Sequence, residues 1–137
     1  ILQKKISSNN CLNMKFNGTV ERKSMPLIYQ KHQIFFCVEH NPTCPNSVLE
    51  AMSSGLPIMG FDNGSLKELV GDAGVIIKLD KAINKIEKDK IIVLLTKAIK
   101  DIKKNYISYS LKARERAKIF DSNLVFDKYF KILTNKL

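Results

Sequence analysis

The stretch Pro42-Thr-Cys-Pro-Asn-Ser-Val-Leu-Glu-Ala-Met-Ser-Ser-Gly-Leu-Pro57 decides the reading of this chain. Two prolines shape a short polar turn, Asn46 or Ser47 offers an N-cap, and Gly55 ends a compact helix. Val48, Leu49 and Met52 give that helix an apolar side. Before it, Gln33–Val38 is a continuous apolar run of strand length, the pattern of a strand covered on both faces. After it, Pro57–Phe61 reads as the next strand. Strand, turn, helix N-terminus, helix and strand form a layout with which α/β proteins hold phosphorylated ligands. Glu50 stands in the first turns of the helix, where a ligand would meet it.

The same alternation extends outward. Residues 1–8 read as a helix end, and Leu12–Phe16 alternates in the strand manner before the turn pair Asn17-Gly18. Ser24 is placed to cap a short helix that holds Pro26 near its start and runs to about Gln30. Ser65 opens another through Val70, with Glu68 three residues on in a capping-box pattern. Val75–Ile77 is a further short strand. Strands alternating with helices imply a parallel, Rossmann-like sheet whose ligands bind outside the strand C-terminal ends. That rule lines up Gly18–Val20, Glu39–Asn46 and Asp62–Ser65 along one rim.

From Asn84 the pattern turns helical. Ile91, Leu94, Leu95, Ala98 and Ile102 form one stripe, and Tyr106, Ser110, Ala113, Ala117 and Phe120 form the next. Asp121 or Ser122 begins a last helix through Lys136, with Val125, Tyr129, Ile132 and Leu133 expected inward. The chain thus reads as one domain over residues 1–137, an α/β core over 1–80 and a helical tail over 81–137.

Charge separates the two parts. Of the net +10, residues 1–80 carry +1 and residues 81–137 carry +9, so the basic excess lies away from the rim. A basic surface suits an anionic membrane or nucleic acid, but a solvated helix face accounts for it more simply. The basic residues are not interleaved with aromatics, and no specific nucleic-acid partner is expected. Cys11, Cys37 and Cys44 are odd in number and lack metal-ligand spacing, so no metal is expected and a reduced, cytoplasmic setting is. Cys37 reads as core, while Cys44 lies in the rim turn with no evident base beside it. No apolar run approaches a membrane span, and residues 1–10 lack a signal-peptide core. No initiator Met opens the chain, as expected of a segment of a longer protein.

Four blocks in order carry a family resemblance: Phe16-Asn-Gly-Thr-Val20, Cys44–Ile58, Asn63-Gly-Ser-Leu-Lys-Glu-Leu-Val-Gly-Asp-Ala-Gly74, and Phe120 through Tyr129. Together they resemble the C-terminal, donor-binding half of retaining glycosyltransferases with the GT-B fold, family 4. The resemblance implies half of a GT-B fold and sugar transfer from a nucleotide-diphosphate sugar to a glycan or lipid-linked acceptor. It implies no cofactor beyond that donor substrate. It places the diphosphate on Thr43, Cys44, Pro45, Asn46 and Ser47 at the helix start, where free N–H groups and the helix dipole favour an anion. Glu50 takes the family position that accepts hydrogen bonds from the donor ribose, a task an acceptor-only carboxylate suits. Gly18 and Val20 fall near the nucleobase, although a plain turn glycine and a core valine fit the residues equally well.

Two departures mark the chain against that family. The family often has a second acid eight residues before the ribose-binding Glu, and that position here is Pro42, with Glu39 and Asn41 close by. The family's leading strand, its basic clamp on the diphosphate and its acceptor-binding N-terminal domain have no counterpart before Ile1. This chain alone is therefore expected to be inactive and to need the acceptor domain as a partner. The alternative reading is a non-catalytic nucleotide-sugar-binding fragment or subunit. Lipid-linked acceptors and the basic tail together would allow peripheral contact at the inner face of the membrane.

Overall fold

The computed structural model describes residues 15–79 and 86–134. A 3-10 turn over Arg22–Ser24 leads into α1 (Met25–Tyr29). The order then runs β1 (Phe35–Cys37), α2 (Asn46–Ser53), β2 (Ile58–Phe61), α3 (Leu66–Val70) and β3 (Gly74–Ile77). Three helices follow: α4 (Lys88–Lys104), α5 (Tyr106–Lys118) and α6 (Ser122–Thr134).

The described strands form one parallel sheet in the order β1-β2-β3. Phe35 pairs with Ile58 and Cys37 with Gly60, and Ile58 pairs with Gly74 and Phe61 with Ile77. Every residue of β2 is buried, because the strand is flanked on both edges and covered on both faces. Ile58 faces a core built with Val48, Met52, Leu66, Val70 and Ala113. Met59 and Phe61 face a second core built with Ile77, Ala98 and Ile102. The helical stripe expected over Ile91–Ile102 is what closes this second face. At roughly 25 cal/mol for each Å² of apolar surface, burial of these two layers supplies the main drive to fold.

Several expectations change in detail. The strand expected over Gln33–Val38 shrinks to three residues. Phe36 is 37% exposed and Val38 75%, since among the described residues nothing pairs beyond β1. Of Leu12–Phe16 only Lys15 and Phe16 are described, and both are exposed and irregular. Residues 1–8, Asn84, Lys136 and Cys11 lie outside the described residues. The last helix forms as expected, and Asp121 rather than Ser122 caps it, its Oδ1 accepting the Asn123 N–H at 2.9 Å. Its expected inward side is not buried. Tyr129, Ile132 and Leu133 are all exposed and Val125 is half-buried, because no other described element packs over them.

Two side chains of the tail tie it to the α/β part. The Arg114 guanidinium lies over Gly55 and donates to the Ser54 carbonyl at 3.3 Å, at the C-terminal end of α2. A Cβ at Gly55 would stand 2.6 Å from Arg114 Nε, and the residue's φ of +82° also requires glycine. Arg116 donates to the carbonyls of Leu69 (3.0 Å) and Glu68 (2.6 Å) at the end of α3, and lies over the Phe120 ring. Both arginines therefore satisfy helix-terminal carbonyls and oppose the negative end of a helix dipole. They belong to the basic excess that composition assigned to solvent.

Candidate functional site

The C-terminal ends of β1 and β2 open onto two loops that are joined to each other. Ser65 donates its N–H to the Pro42 carbonyl at 2.9 Å. The Ser65 hydroxyl also bonds to Pro42, at 3.0 Å, and to the Thr43 carbonyl. Gly64 packs so tightly here, at φ +53°, that a Cβ would lie 2.8 Å from backbone atoms of Asn41 and Pro42. The capping expectation for Ser65 is thus corrected. Ser65 does precede α3, but its hydroxyl is spent on the neighbouring loop and makes no bond to the helix. The Glu68 capping box is not formed.

The N-cap of α2 is likewise corrected. Pro45 occupies that position with an extended backbone, and Asn46 and Ser47 are the first two helical residues. Among the described residues no side chain caps this end. Helix geometry leaves the amides of Asn46 and Ser47 without an intrahelical acceptor, whereas Val48 already donates to the Pro45 carbonyl at 3.0 Å. Thr43, Cys44 and Asn46 are exposed, Ser47 is half-buried and Pro45 is buried. The rim therefore presents an uncapped helix start on a backbone held from below.

Glu50 lies one turn further along α2 and is half-buried. The Tyr29 hydroxyl donates to its Oε2 at 3.2 Å, and Arg22 Nε approaches its Oε1 at 3.9 Å. Tyr29 itself is buried, with its ring edge-on to Phe35. Burial, and then the neighbouring Glu50 carboxylate, push the Tyr29 hydroxyl up to about 12, so it remains a donor through the whole neutral range. Sequence reasoning missed both Tyr29 and Arg22. The available signal was a tyrosine among the apolar residues of a short helix, since a buried tyrosine hydroxyl needs a partner.

The segment after Gly18 and Val20 meets the edge of α2 at Arg22. Gly18 is exposed at φ +67°, the left-handed turn its residue type suits, and Val20 is half-buried. Pro42, by contrast, is fully buried beneath the rim and offers only its carbonyl, already bonded to Ser65. Glu39 and Asn41 beside it are exposed. Cys37 is buried in the core as expected, and Cys44 is an exposed free thiol. Among the described residues no cluster of three His, Cys, Asp or Glu side chains forms, and no helix is long and apolar enough to cross a membrane.

Comparison with known proteins bears on the family and the fold. A family model described as glycosyl transferases group 1 matches residues 2–97. No curated protein matches the sequence. Two solved structures share the fold. One is the pneumococcal O-GlcNAc transferase GtfA in complex with UDP and GlcNAc, at TM-score 0.79 and 18% identity over 98% of this chain. The other is the GtfA/B complex, at TM-score 0.81, with the same identity and the same coverage of this chain. The chain spans about a quarter of the length of each, 26% and 27%.

Proposed function

Because the chain belongs to the group 1 glycosyl transferases, we propose that it forms the donor-binding part of a GT-B enzyme that transfers a sugar with retention. The donor is a nucleotide-diphosphate sugar and the acceptor a glycan or a lipid-linked molecule. The observation that carries this reading is the Glu50 carboxylate, held by Tyr29 one turn inside an uncapped helix start. A diphosphate at the amides of Asn46 and Ser47 and a ribose diol at Glu50 would be adjoining parts of one nucleoside diphosphate.

In this reading the backbone N–H groups of Thr43, Cys44, Asn46 and Ser47 and the α2 dipole cradle the diphosphate, and Pro45, which has no N–H, shapes the turn between them. Glu50 accepts from the ribose hydroxyls, and Gly18 and Val20 flank the base. The role of this wall in transfer is positional and electrostatic: it fixes the donor and stabilises the charge that develops on the departing diphosphate. The rest of the cleft comes from an acceptor-binding domain, so transfer requires that partner. UDP, which accompanies GtfA in its crystal structure, is the first nucleotide to test.

A second reading has its own observation. Pro42 fills the position of the family's other acid and is fully buried, as suits a nucleotide-sugar-binding subunit that leaves chemistry to a partner. One of the solved structures that share the fold is itself a complex, GtfA/B.

The test is calorimetric titration of the full-length protein with UDP, GDP and ADP. Glu50→Ala is expected to weaken binding of the preferred nucleotide by about 10- to 100-fold, the worth of charge-assisted hydrogen bonds. Unchanged affinity would remove Glu50 from the site. Turnover of a nucleotide-sugar by the full-length protein separates the enzyme from the binding subunit.

A further inference from the structure

We propose that Tyr29 is a positioning residue that sets Glu50 for the ribose diol, an inference that rests on the donor-site reading of Glu50. The two neighbours of this carboxylate differ in kind. Arg22 is almost wholly in solvent, with a side chain 91% exposed, and reaches Glu50 at 3.9 Å. Such a surface pair contributes little and yields readily to a ligand. Tyr29 is 5% exposed, is locked edge-on to Phe35, and lies in the same core as Val48 and Met52 of α2. Its hydroxyl has no freedom to follow a wandering carboxylate, so the carboxylate is held where the hydroxyl is.

The geometry also divides the work between the two oxygens. Tyr29 donates to Oε2, leaving Oε1 and the remaining lone pairs of Oε2 for incoming donors. A vicinal diol brings two O–H donors a short distance apart, which matches the two oxygens of one carboxylate. Holding the side chain before the ligand arrives removes part of the ordering cost of binding. Since the tyrosine titrates only near 12, the contact is not switched off by any physiological change in pH.

A buried tyrosine hydroxyl also needs a partner for purely structural reasons, so the experiment must read the diol itself. UDP, GDP and ADP, each beside its 2′,3′-dideoxy form, are titrated into the full-length protein, and the tightest-binding base is carried forward. Tyr29→Phe is expected to weaken the ribonucleotide about fivefold, the worth of one hydrogen bond, and to leave the dideoxy form unchanged. Glu50→Ala is expected to bring the ribo-to-dideoxy ratio close to one. If Glu50→Ala collapses that ratio and Tyr29→Phe leaves it intact, the positioning role is overturned and the donor site stands. A Tyr29→Phe variant that weakens both forms equally also overturns it, since that is the mark of a structural role. If Glu50→Ala leaves the ratio intact, or no nucleotide binds, the donor-site reading falls and this inference with it. Tyr29→Met, which also lacks the donor, replaces the Phe variant should that one fail to fold.

Discussion

The rim of the α/β half and the last helix of the tail are built on opposite terms. Around the rim, backbone is bonded to backbone across loops, Gly64 is packed against Asn41 and Pro42, and helix α2 buries Val48, Ala51 and Met52. Among the described residues helix α6 has none fully buried, and Leu124, Phe126, Tyr129, Phe130, Ile132 and Leu133 are exposed. Both helices have the apolar spacing of an amphipathic element. Only α2 has a sheet beneath it. Spacing therefore reports that a helix has a face to bury, while the neighbouring elements determine whether that face is covered.

That contrast is open to measurement. The largest effect is expected at Met52, which is fully buried under the sheet. Met52→Ala should cost about 2–5 kcal/mol in chemical denaturation, through lost transfer energy and an unfilled cavity. A loss below about 1 kcal/mol would mean that the core around α2 is not packed as described.

Arg116 comes next, because it ties α5, the helix before α6, to the α/β half. Arg116→Ala removes the donors to the carbonyls of Leu69 and Glu68 and should cost about 1–2 kcal/mol. Arg116→Lys should recover little of it, since a single ammonium cannot serve both carbonyls with the fork of a guanidinium. Full rescue by Lys would show that only the charge at the end of α3 matters.

The alkaline limb probes the α/β half and α5 at once. Tyr29 in the α/β half and Tyr109 on α5 are each pushed up to about 12, first by burial and then by hydrogen bonds and charge from Glu50 and Asp101 respectively. A folded-state value above the unfolded one means the folded protein holds these protons more tightly. Their contribution is therefore fully present below about pH 10 and is lost as pH rises from about 10 to about 12. Denaturation followed across that window should show falling stability, and Tyr29→Phe or Tyr109→Phe should flatten the fall. An equally steep limb in the double variant would place its cause elsewhere.

The smallest effect is expected on α6. Phe130 is 57% exposed and, among the described residues, stacks only on Phe126 of the same helix. Phe130→Ala should change the stability of this chain by less than about 0.5 kcal/mol. A loss comparable to that of Met52→Ala would mean that α6 is covered in solution.

Much of the rim was legible from residue order. The turn prolines, Gly55 and the apolar side of α2 define the helix after β1, and the blocks around Glu50 and Gly74 point to the family that the comparison then shows. The caps of α2 and α3 were not legible. Pro45, Asn46 and Ser47 are adjacent, and which of them leaves the helical conformation depends on how the loop beneath is held. Ser65 shows the same limit, because its sequence neighbours favour a helix cap while Pro42, 23 residues away, takes its hydroxyl.

By itself the sequence determined the alternation of strands and helices, the two-faced core and the place of Glu50 near a helix start. These follow from periodicity, from turn residues and from the short-range geometry of the chain. Only the tertiary structure decided what Glu50 touches, which arginines of the basic tail are structural, and which apolar stripe stays uncovered. Tyr29 and Glu50 are 21 residues apart, and Arg116 and Leu69 are 47 apart. A hydrogen bond reads only distance and direction in space, and neither is written in the spacing of residues along the chain.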